Sequence, residues 1–236
     1  MTRATITDEH FFNLDDDSHP GRVIEQMRFE DCYFEGCILS LWGHRDEPIA
    51  VRNVELANVK IRDCHIGPAI MEDMLVDQLK TDDLFILWGT LFRHVVFRGD
   101  CGSIKLNSTI SWKSEAAHAQ KEFDDRRLAF YRETDWSLDI SAARFRIFET
   151  SGIPSRLIRR DPRTQVVVKR ERLGSVPWRR ILASQSGYWA GILSVIATDV
   201  DEDCVLVAPY LRRPEKRKLL LEELLELRTL GIAEPD

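Results

Sequence analysis

The chain is 236 residues long, 44% hydrophobic and 31% charged, which is ordinary for a soluble protein of one large domain or two small ones. It has no stretch apolar enough to span a bilayer, and residues 1–17 lack the basic start and apolar core of a secretory signal, so we expect a cytoplasmic protein. The net charge of −6 is uneven, because residues 1–110 carry 11 basic and 19 acidic side chains, whereas residues 142–180 carry 11 basic and 3 acidic ones.

The N-terminal segment shows no repeat and is acidic. We expect residues 1–26 to form an irregular cap, since an uncovered first layer of strands would present a free edge. A five-residue repeat is expected over residues 27–172. Between Leu39 and Val51 the chain has two residues more than this period needs, which predicts a protruding corner loop over residues 42–48.

Residues 49–107 hold the five-residue period without an insertion. One column is apolar except at Thr81: Val51, Leu56, Ile61, Ile66, Met71, Val76, Thr81, Ile86, Leu91, Val96, Cys101 and Leu106. The column two residues earlier is apolar or glycine except at His94: Ile49, Val54, Val59, Cys64, Ala69, Met74, Leu79, Leu84, Gly89, His94, Gly99 and Ile104. A third column, two residues after the first, is mostly polar: Asn53, Asn58, Asp63, Pro68, Asp73, Gln78, Asp83, Trp88, Arg93, Arg98, Ser103 and Ser108.

This alternation indicates short extended segments joined by corners. Two residues separated by one lie on the same side of a strand, and Asn, Asp or Ser then turns the corner through local hydrogen bonds. A helix of 3.6 residues per turn would not place a five-residue repeat on one face. We therefore expect stacked strands about 4.8 Å apart, with both apolar columns inside.

The pattern resembles the pentapeptide-repeat family, in which a small or apolar residue, a polar residue and Leu or Phe precede two variable residues. Residues 59–63 (Val-Lys-Ile-Arg-Asp) and 64–68 (Cys-His-Ile-Gly-Pro) carry the resemblance best. It covers about half of the chain and implies a right-handed quadrilateral parallel β-helix with roughly twenty residues per coil. The expected fold class is thus mainly β with α: this β-helix, an inserted helix and C-terminal capping helices.

The inserted helix is predicted where the repeat breaks. Residues 114–132 have helical spacing with Ser114 as the N-cap, and the repeat resumes at Leu138, so the helix is expected to lie between two coils. Residues 165–169 are predicted to form one more strand.

The C-terminal part, residues 173–236, is predicted to be an α/β capping segment. Helices are expected over residues 177–196 and 215–230, with a short buried strand over residues 204–208 between them. Gly231 is expected to stop the last helix.

Four large side chains, Phe85, Trp88, Phe92 and Phe97, stand at positions that the columns place outside. A soluble protein rarely leaves such a patch bare, so either the chain's own helices or a partner chain is expected to cover it. His94 is the one polar residue in an inward column, and we expect it to be a core histidine with satisfied hydrogen bonds.

The sequence has no G-x-S-x-G, Gly-rich phosphate loop, H-E-x-x-H or Cys-x-x-Cys motif, so we expect no cofactor and no metal. We favour a non-catalytic protein that docks another protein on a rigid β-helical face, as an inhibitor or immunity protein that neutralises a toxin or enzyme. Acidic corner residues would meet a basic target, and the later basic run would pair with acidic groups. The partner-binding residues assigned on this basis are Glu72, Asp73, Asp77, Asp82, Asp83, Arg156, Arg159 and Arg160.

Two alternatives stay open. A DNA-mimicking pentapeptide protein that binds a topoisomerase ranks lower, because the acidic face is short and the basic segment interrupts it. A carboxylate-dependent carbohydrate-active enzyme would need two acids at a fixed separation, for which Asp73, Asp77, Asp82 and Asp83 are candidates. Nucleic-acid binding is disfavoured, since the basic run lacks interleaved aromatic residues, and no membrane contact is expected. The sequence leaves the oligomeric state undecided.

Overall fold

The computed structural model describes residues 3–15, 21–40, 48–110, 117–182, 185–199 and 203–235. The strands are β1 (Ala4–Thr7), β2 (His10–Phe12), β3 (Val23–Glu25), β4 (Met27–Glu30), β5 (Tyr33–Glu35), β6 (Ile38–Leu39), β7 (Ile49–Arg52), β8 (Glu55–Ala57), β9 (Lys60–Arg62), β10 (His65–Ile66), β11 (Ala69–Asp77), β12 (Lys80–Thr81), β13 (Phe85–Trp88), β14 (Leu91–Asp100), β15 (Ser103–Asn107), β16 (Leu138–Arg144), β17 (Ile147–Thr150), β18 (Ile158–Arg159), β19 (Gln165–Val168) and β20 (Cys204–Val207). The helices are α1 (Ala117–Arg132), α2 (Arg170–Ser175), α3 (Trp178–Ile181), α4 (Tyr188–Asp199) and α5 (Pro214–Thr229). The predicted corner loop and the predicted N-cap Ser114 lie outside the described residues, except for Pro48.

Three parallel sheets contain most of the strands, which confirms the prediction of a mainly β fold with some helices. Sheet A has the order β1-β4-β8-β11-β14-β16-β18, with β3 paired to β7 and β7 to β11. Sheet B has the order β12-β9-β5-β2, and sheet C has the order β17-β15-β13-β10-β6. Up to β14 the chain passes from sheet A to B to C and back to A, and after β14 it passes directly between sheets A and C. We call one such passage, from sheet A back to sheet A, a circuit.

Between β7 and β12 the circuit is twenty residues long, as the five-residue period predicts. Val51 pairs with Met71, Leu56 with Val76 and Ile61 with Thr81. Most side chains of both predicted inward columns are buried here, including Val76 of the first column and Val59 of the second. The predicted corner residues have a positive φ, which Asn and Asp tolerate best among residues with a side chain. These corners are Asn53, Asn58, Asp63, Asp73 and Gln78.

The expectation of an irregular segment over residues 1–26 is wrong. β1 pairs in parallel with β4, β2 with β5, and β3 with β7. Phe11 stacks on Phe34, with ring centroids 4.7 Å apart, so the apolar interior already begins in the first described circuit. The five-residue period is not evident in this part of the sequence because the circuits here are longer than twenty residues. One contains 23 residues, from Ile6 to its partner Phe29, and the next contains 27, from Phe29 to its partner Leu56.

One extra residue enters the corner between β12 and β13, and it reverses the predicted sidedness of the next strands. Ile66 pairs with Leu87 and Met71 with Phe92, so this circuit has 21 residues. A shift of one residue exchanges the two faces of a strand. The predicted outward strip is therefore wrong for Phe85, Phe92 and Phe97, which are buried in the core. Trp88 remains half-buried, and Leu84, predicted to point inward, is 38% exposed.

Sheet B ends at β12 because in the next circuit the chain passes directly from β14 in sheet A to β15 in sheet C. Gly102 has φ +63, and a Cβ there would lie 2.5 Å from Thr81 Oγ1. The guanidinium of Arg146 covers the last strand: it donates to the carbonyl oxygens of Thr81 (3.3 Å) and Asp82 (3.1 Å) and to Ser103 Oγ (2.8 Å). The unpaired edge of β12 is thereby occupied within the molecule.

Helix α1 is inserted between two circuits, as predicted, because β16 pairs directly with β14. The buried side chains of Phe123 and Tyr131 hold it against the sheets. The Phe92 N–H donates to the hydroxyl of Tyr131 at 3.3 Å.

The C-terminal segment closes the end of the last circuit through sheet D, the antiparallel pair β19 and β20. Its strands are buried on both faces. Val167, Val205 and Val207 join the core of the sheets A–C, whereas the alternate residues Val166 and Leu206 join a second core with the helices.

Three expectations for this segment need correction. Parallel pairing ends at β18, so residues 165–168, which were assigned to the repeat, belong to sheet D. The single helix predicted over residues 177–196 consists of α3 and α4. The helices pack on sheet D instead of an outward aromatic strip. The last helix ends as predicted, with Gly231 in the left-handed region at φ +70.

Candidate functional site

The corner between sheets B and C carries exposed carboxylates. Asp63 turns this corner with φ +49, and in the next circuit Asp82 and Asp83 occupy the corner that contains the extra residue. The side chain of Asp63 is 71% exposed and that of Asp82 is 43% exposed. We call Asp63, Asp82 and Asp83 the acidic corner.

A cleft of about 190 Å³ opens beside the acidic corner. Asp63, Asp83 and His65 line it together with the half-buried side chains of Ile86 and Trp88. Cys64 also lines the cleft, but burial raises the pKa of its thiol to about 11, so it is protonated at neutral pH and is a poor nucleophile. Carboxylates beside an aromatic ring suit a lysine or arginine side chain, which gains ion-pair and cation–π contacts there.

The charge of the acidic corner is only partly compensated. Lys60 and Arg62 approach Asp82 at 3.8 Å each, and Arg62 approaches Asp63 at 3.5 Å and Glu35 at 3.5 Å. No ion-pair partner of Asp83 is found in the part of the chain that the structure describes. Two cations are therefore shared by three carboxylates, and Asp83 pairs with neither cation. The remaining negative charge faces solvent at the mouth of the cleft.

The other assigned acidic residues lie on β11 in sheet A, apart from Asp82 and Asp83. Glu72 is 14% exposed and pairs with Arg52 at 2.8 Å and with Arg93 at 3.2 Å. Asp77 pairs with Arg98 at 2.8 Å. The five assigned acids therefore do not lie together, and stacking puts those on β11 beside residues of the adjacent circuits. Spacing within the chain did not reveal these arginine neighbours.

Asp73 belongs to a third cluster, which centres on His94. The Asp73 Oδ1 atom lies 3.0 Å from His94 Nδ1, and the Asp135 Oδ1 atom lies 2.7 Å from His94 Nε2. The hydrogen bond to Asp135 and the weaker one to Asp73 raise the pKa of His94, while the His94 hydrogen bond lowers the pKa of Asp135. His94 also packs on Trp136, with ring centroids 4.7 Å apart.

The expectation that His94 lies in the core is wrong. Its side chain is 31% exposed, and its φ of +56 makes it a corner residue. The one-residue shift moves the corner column to Gly89, His94 and Gly99, all with positive φ. Glycines at five-residue spacing are a signal for corners, and this signal was available in the sequence.

The three assigned arginines make internal contacts and do not meet the acidic corner. Arg156 donates to the Tyr131 carbonyl at 3.3 Å, and Arg160 donates to the Gln165 carbonyl at 3.1 Å. The Arg159 guanidinium lies over the Trp136 ring, 4.0 Å from its centroid. They fasten the end of α1 and the start of sheet D to the last circuits.

A larger groove of about 750 Å³ lies between α1, α4 and the strands β15 and β17. One wall is apolar, with Tyr188, Ile192 and Val195 from α4. The other wall is polar, and there the Arg127 guanidinium donates to the Gly152 carbonyl at 2.7 Å. Sequence reasoning missed this groove because its walls come from separate parts of the chain.

Comparisons with known proteins add no assignment. The sequence matches no protein-family model, and no curated protein gives a significant match. Among the described residues, no group of three or more His, Cys, Asp or Glu side chains could hold a metal ion. A search of the same residues finds no helix with the length and hydrophobicity needed to cross a membrane.

Proposed function

We propose that sheets A, B and C are the walls of a right-handed quadrilateral β-helix of the pentapeptide-repeat kind. Both β7 and β8 pair with β11, so sheet A can supply two walls and sheets B and C the other two. The twenty-residue circuit and the corners at five-residue spacing support this arrangement. Parallel strands joined in one direction also favour the right-handed form.

On this scaffold we place a non-catalytic protein-binding function: the chain docks a basic protein at the acidic corner, as an inhibitor or immunity protein that neutralises a toxin or enzyme. The observation that carries the proposal is the uncompensated charge of Asp83 beside Asp63, at the mouth of a cleft that fits one cationic side chain. The stacked strands hold these carboxylates in place, so little conformational entropy is lost on binding.

The charges of the acidic corner would act at two stages. Uncompensated carboxylates attract a basic partner during diffusion and raise its rate of association. A lysine or arginine side chain would then enter the cleft, with its charge near Asp63 and Asp83 and its apolar stem against Trp88. This arrangement predicts a strong dependence of the association rate on salt.

The DNA-mimic alternative receives less support. It calls for a long acidic face, whereas Arg52, Arg93 and Arg98 interrupt the carboxylates of sheet A. A supercoiling assay with DNA gyrase and excess protein separates the two proposals, since a DNA mimic would inhibit the reaction.

The test uses immobilised full-length protein and a lysate of the source organism. Wild-type protein is compared with Asp63→Asn/Asp83→Asn and with the control Asp125→Asn, which removes an exposed carboxylate on α1. We expect a basic protein to be retained by wild type and the control, and to be lost from the double variant and at about 0.3 M NaCl, where the Debye length is near 6 Å. If nothing distinguishes the double variant from the control, the proposal fails.

A further inference from the structure

A second charged surface lies where β20 leads into α5, and its charge is positive. Arg212, Arg213, Lys216 and Arg217 follow one another closely, with Glu215 as the one acidic residue among them. Tyr210 and Leu219 flank these cations and are 38% and 46% exposed. We call these four cations and two apolar side chains the basic patch.

The chain fixes the basic patch to the last circuit at Tyr210. The Tyr210 N–H donates to the Phe145 carbonyl at 2.6 Å. Two guanidiniums lie over the Tyr210 ring, with Arg144 at 4.8 Å and Arg217 at 5.1 Å from its centroid. Arg144 in turn forms an ion pair with Asp100 at 2.7 Å, so these contacts fix the position of Tyr210 within the basic patch.

Three of the four cations remain available to a partner. Arg212, Arg213 and Lys216 are exposed, and no carboxylate lies within ion-pair distance of them in the described structure. The nearby Lys218 differs, because it pairs with Glu222 at 3.7 Å. The basic patch is therefore the counterpart of the acidic corner: a group of like charges that the fold does not compensate.

Exposed apolar surface accompanies these charges. Lys216 and Leu219 are three residues apart in α5, so their side chains are neighbours on the helix surface, and Arg213 is the N-cap residue that precedes the helix. An exposed leucine beside a cation gives this surface both an electrostatic and an apolar component.

We propose that the basic patch docks an acidic peptide segment of a partner protein. Carboxylates of the segment would pair with Arg212, Arg213 and Lys216, and an apolar side chain would cover Leu219. Charge complementarity selects an acidic partner, and Leu219 favours a peptide, because a phosphate backbone offers no apolar group to cover a leucine.

The geometry also disfavours single-stranded nucleic acid at the same surface. The guanidiniums of Arg144 and Arg217 already lie over the Tyr210 ring, so the ring is poorly placed to stack on a base. The net charge of −6 opposes a polyanion as long as a nucleic acid.

The basic patch and the acidic corner are independent, because a segment that fits one is repelled by the other. The inference goes beyond the proposed function and does not rest on it. An acidic peptide should bind the Asp63→Asn/Asp83→Asn variant as well as wild type. Binding of a basic target at the acidic corner should not change when residues of the basic patch are substituted.

The experiment measures fluorescence anisotropy with a labelled peptide of alternating Glu and Leu, a matched peptide with Gln in place of Glu, and single-stranded DNA. Full-length wild type is compared with Arg212→Gln/Arg213→Gln/Lys216→Gln. The matched control is Lys121→Gln/Arg132→Gln/Arg180→Gln, which removes three exposed cations elsewhere. Circular dichroism verifies that each variant is folded.

We expect the Glu/Leu peptide to bind, and the triple variant to weaken binding about tenfold, as three exposed ion pairs of roughly 0.5 kcal/mol each would give. The control triple should bind as wild type does, the Gln peptide should bind weakly, and Leu219→Ser should weaken binding a few-fold. Absence of binding, equal binding by the two triple variants, or tighter binding of the DNA than of the peptide would overturn the inference.

Discussion

Residues 49–81 and residues 85–100 are built from the same five-residue unit, yet the unit presents opposite sides to the core in the two regions. In the first region the apolar columns point inward as counted, with Val59 and Val76 buried. In the second, Phe92 and Phe97 are buried, whereas Val96 on the counted column is only half-buried. An unbroken five-residue period in the sequence therefore does not establish the register of the strands, because one added corner residue reverses which side of each strand faces the core.

The largest effect that tests this comparison is the loss of a core aromatic. Phe92→Ala should lower the free energy of unfolding by about 3–5 kcal/mol, because it removes a fully buried ring and leaves a cavity. Val96→Ala should lower it by about 1 kcal/mol or less. Urea unfolding of both variants measures the difference. Equal losses, or a larger loss for Val96→Ala, would mean that the shift is absent.

The next effect concerns the shifted corners. Gly89 has φ +55, and a Cβ there would lie 2.6 Å from Ile110 Cγ2. Gly89→Ala should therefore lower the free energy of unfolding by about 1–3 kcal/mol through backbone strain and this overlap. Gly174→Ala is the matched control: its Cβ meets nothing within 4 Å in α2, so stability should be unchanged or rise by about 0.5–1 kcal/mol.

Thermal unfolding compares the two glycine variants. If Gly89→Ala is tolerated as well as Gly174→Ala, Gly89 does not turn a corner and the shifted column is contradicted.

A smaller effect is expected from pH at the His94 corner. The hydrogen bonds to Asp135 and Asp73 raise the pKa of His94 in the folded protein, so the protonated ring stabilises the fold. This contribution is fully present below the unfolded pKa, near 6.5, and is lost as pH rises through the raised folded value.

The measurement is the urea midpoint across that pH range. His94→Asn should abolish this part of the pH dependence, because Asn tolerates a positive φ but does not titrate. His10→Gln is the control, since His10 pairs only with Glu35 among the described carboxylates. A dependence that persists in His94→Asn would show that another group causes it.

The smallest effect is predicted at Leu84, which the unshifted count places in the core. Because Leu84 lies at the exposed corner, Leu84→Ser should change the free energy of unfolding by no more than about 0.5 kcal/mol. An inward Leu84 would give a loss of about 2–5 kcal/mol instead. Denaturant unfolding distinguishes these outcomes with a single variant.

Local patterns predicted much of the fold. The alternation from Ile49 to Thr81, the helix at α5 and its stop at Gly231 follow from periodicity and turn chemistry, which neighbouring residues determine. The register of the strands after Thr81 could not be predicted from local patterns. The apolar pattern there is acceptable whether or not the five-residue count is shifted by one residue. Gly89 and Gly99, placed in an inward column, were the evidence for the second count.

The candidate site was less predictable than the fold. Asp82 and Asp83 were assigned from their corner positions, and the structure adds Asp63, one circuit earlier, and the cleft. Glu72 and Asp77 were assigned on the same grounds, but arginines from adjacent circuits neutralise them. Whether a carboxylate is compensated depends on stacking across circuits, which sequence spacing alone did not provide.

Sheet D has a consequence for how the molecule comes apart. Val167 and Val205 belong to one core, while Val166 and Leu206 on the same two strands belong to the other. Neither core can lose these strands without the other being opened to water, so the two halves should melt as a single cooperative unit. The stack of circuits is thus protected from fraying at this end, where a repeat architecture is ordinarily weakest.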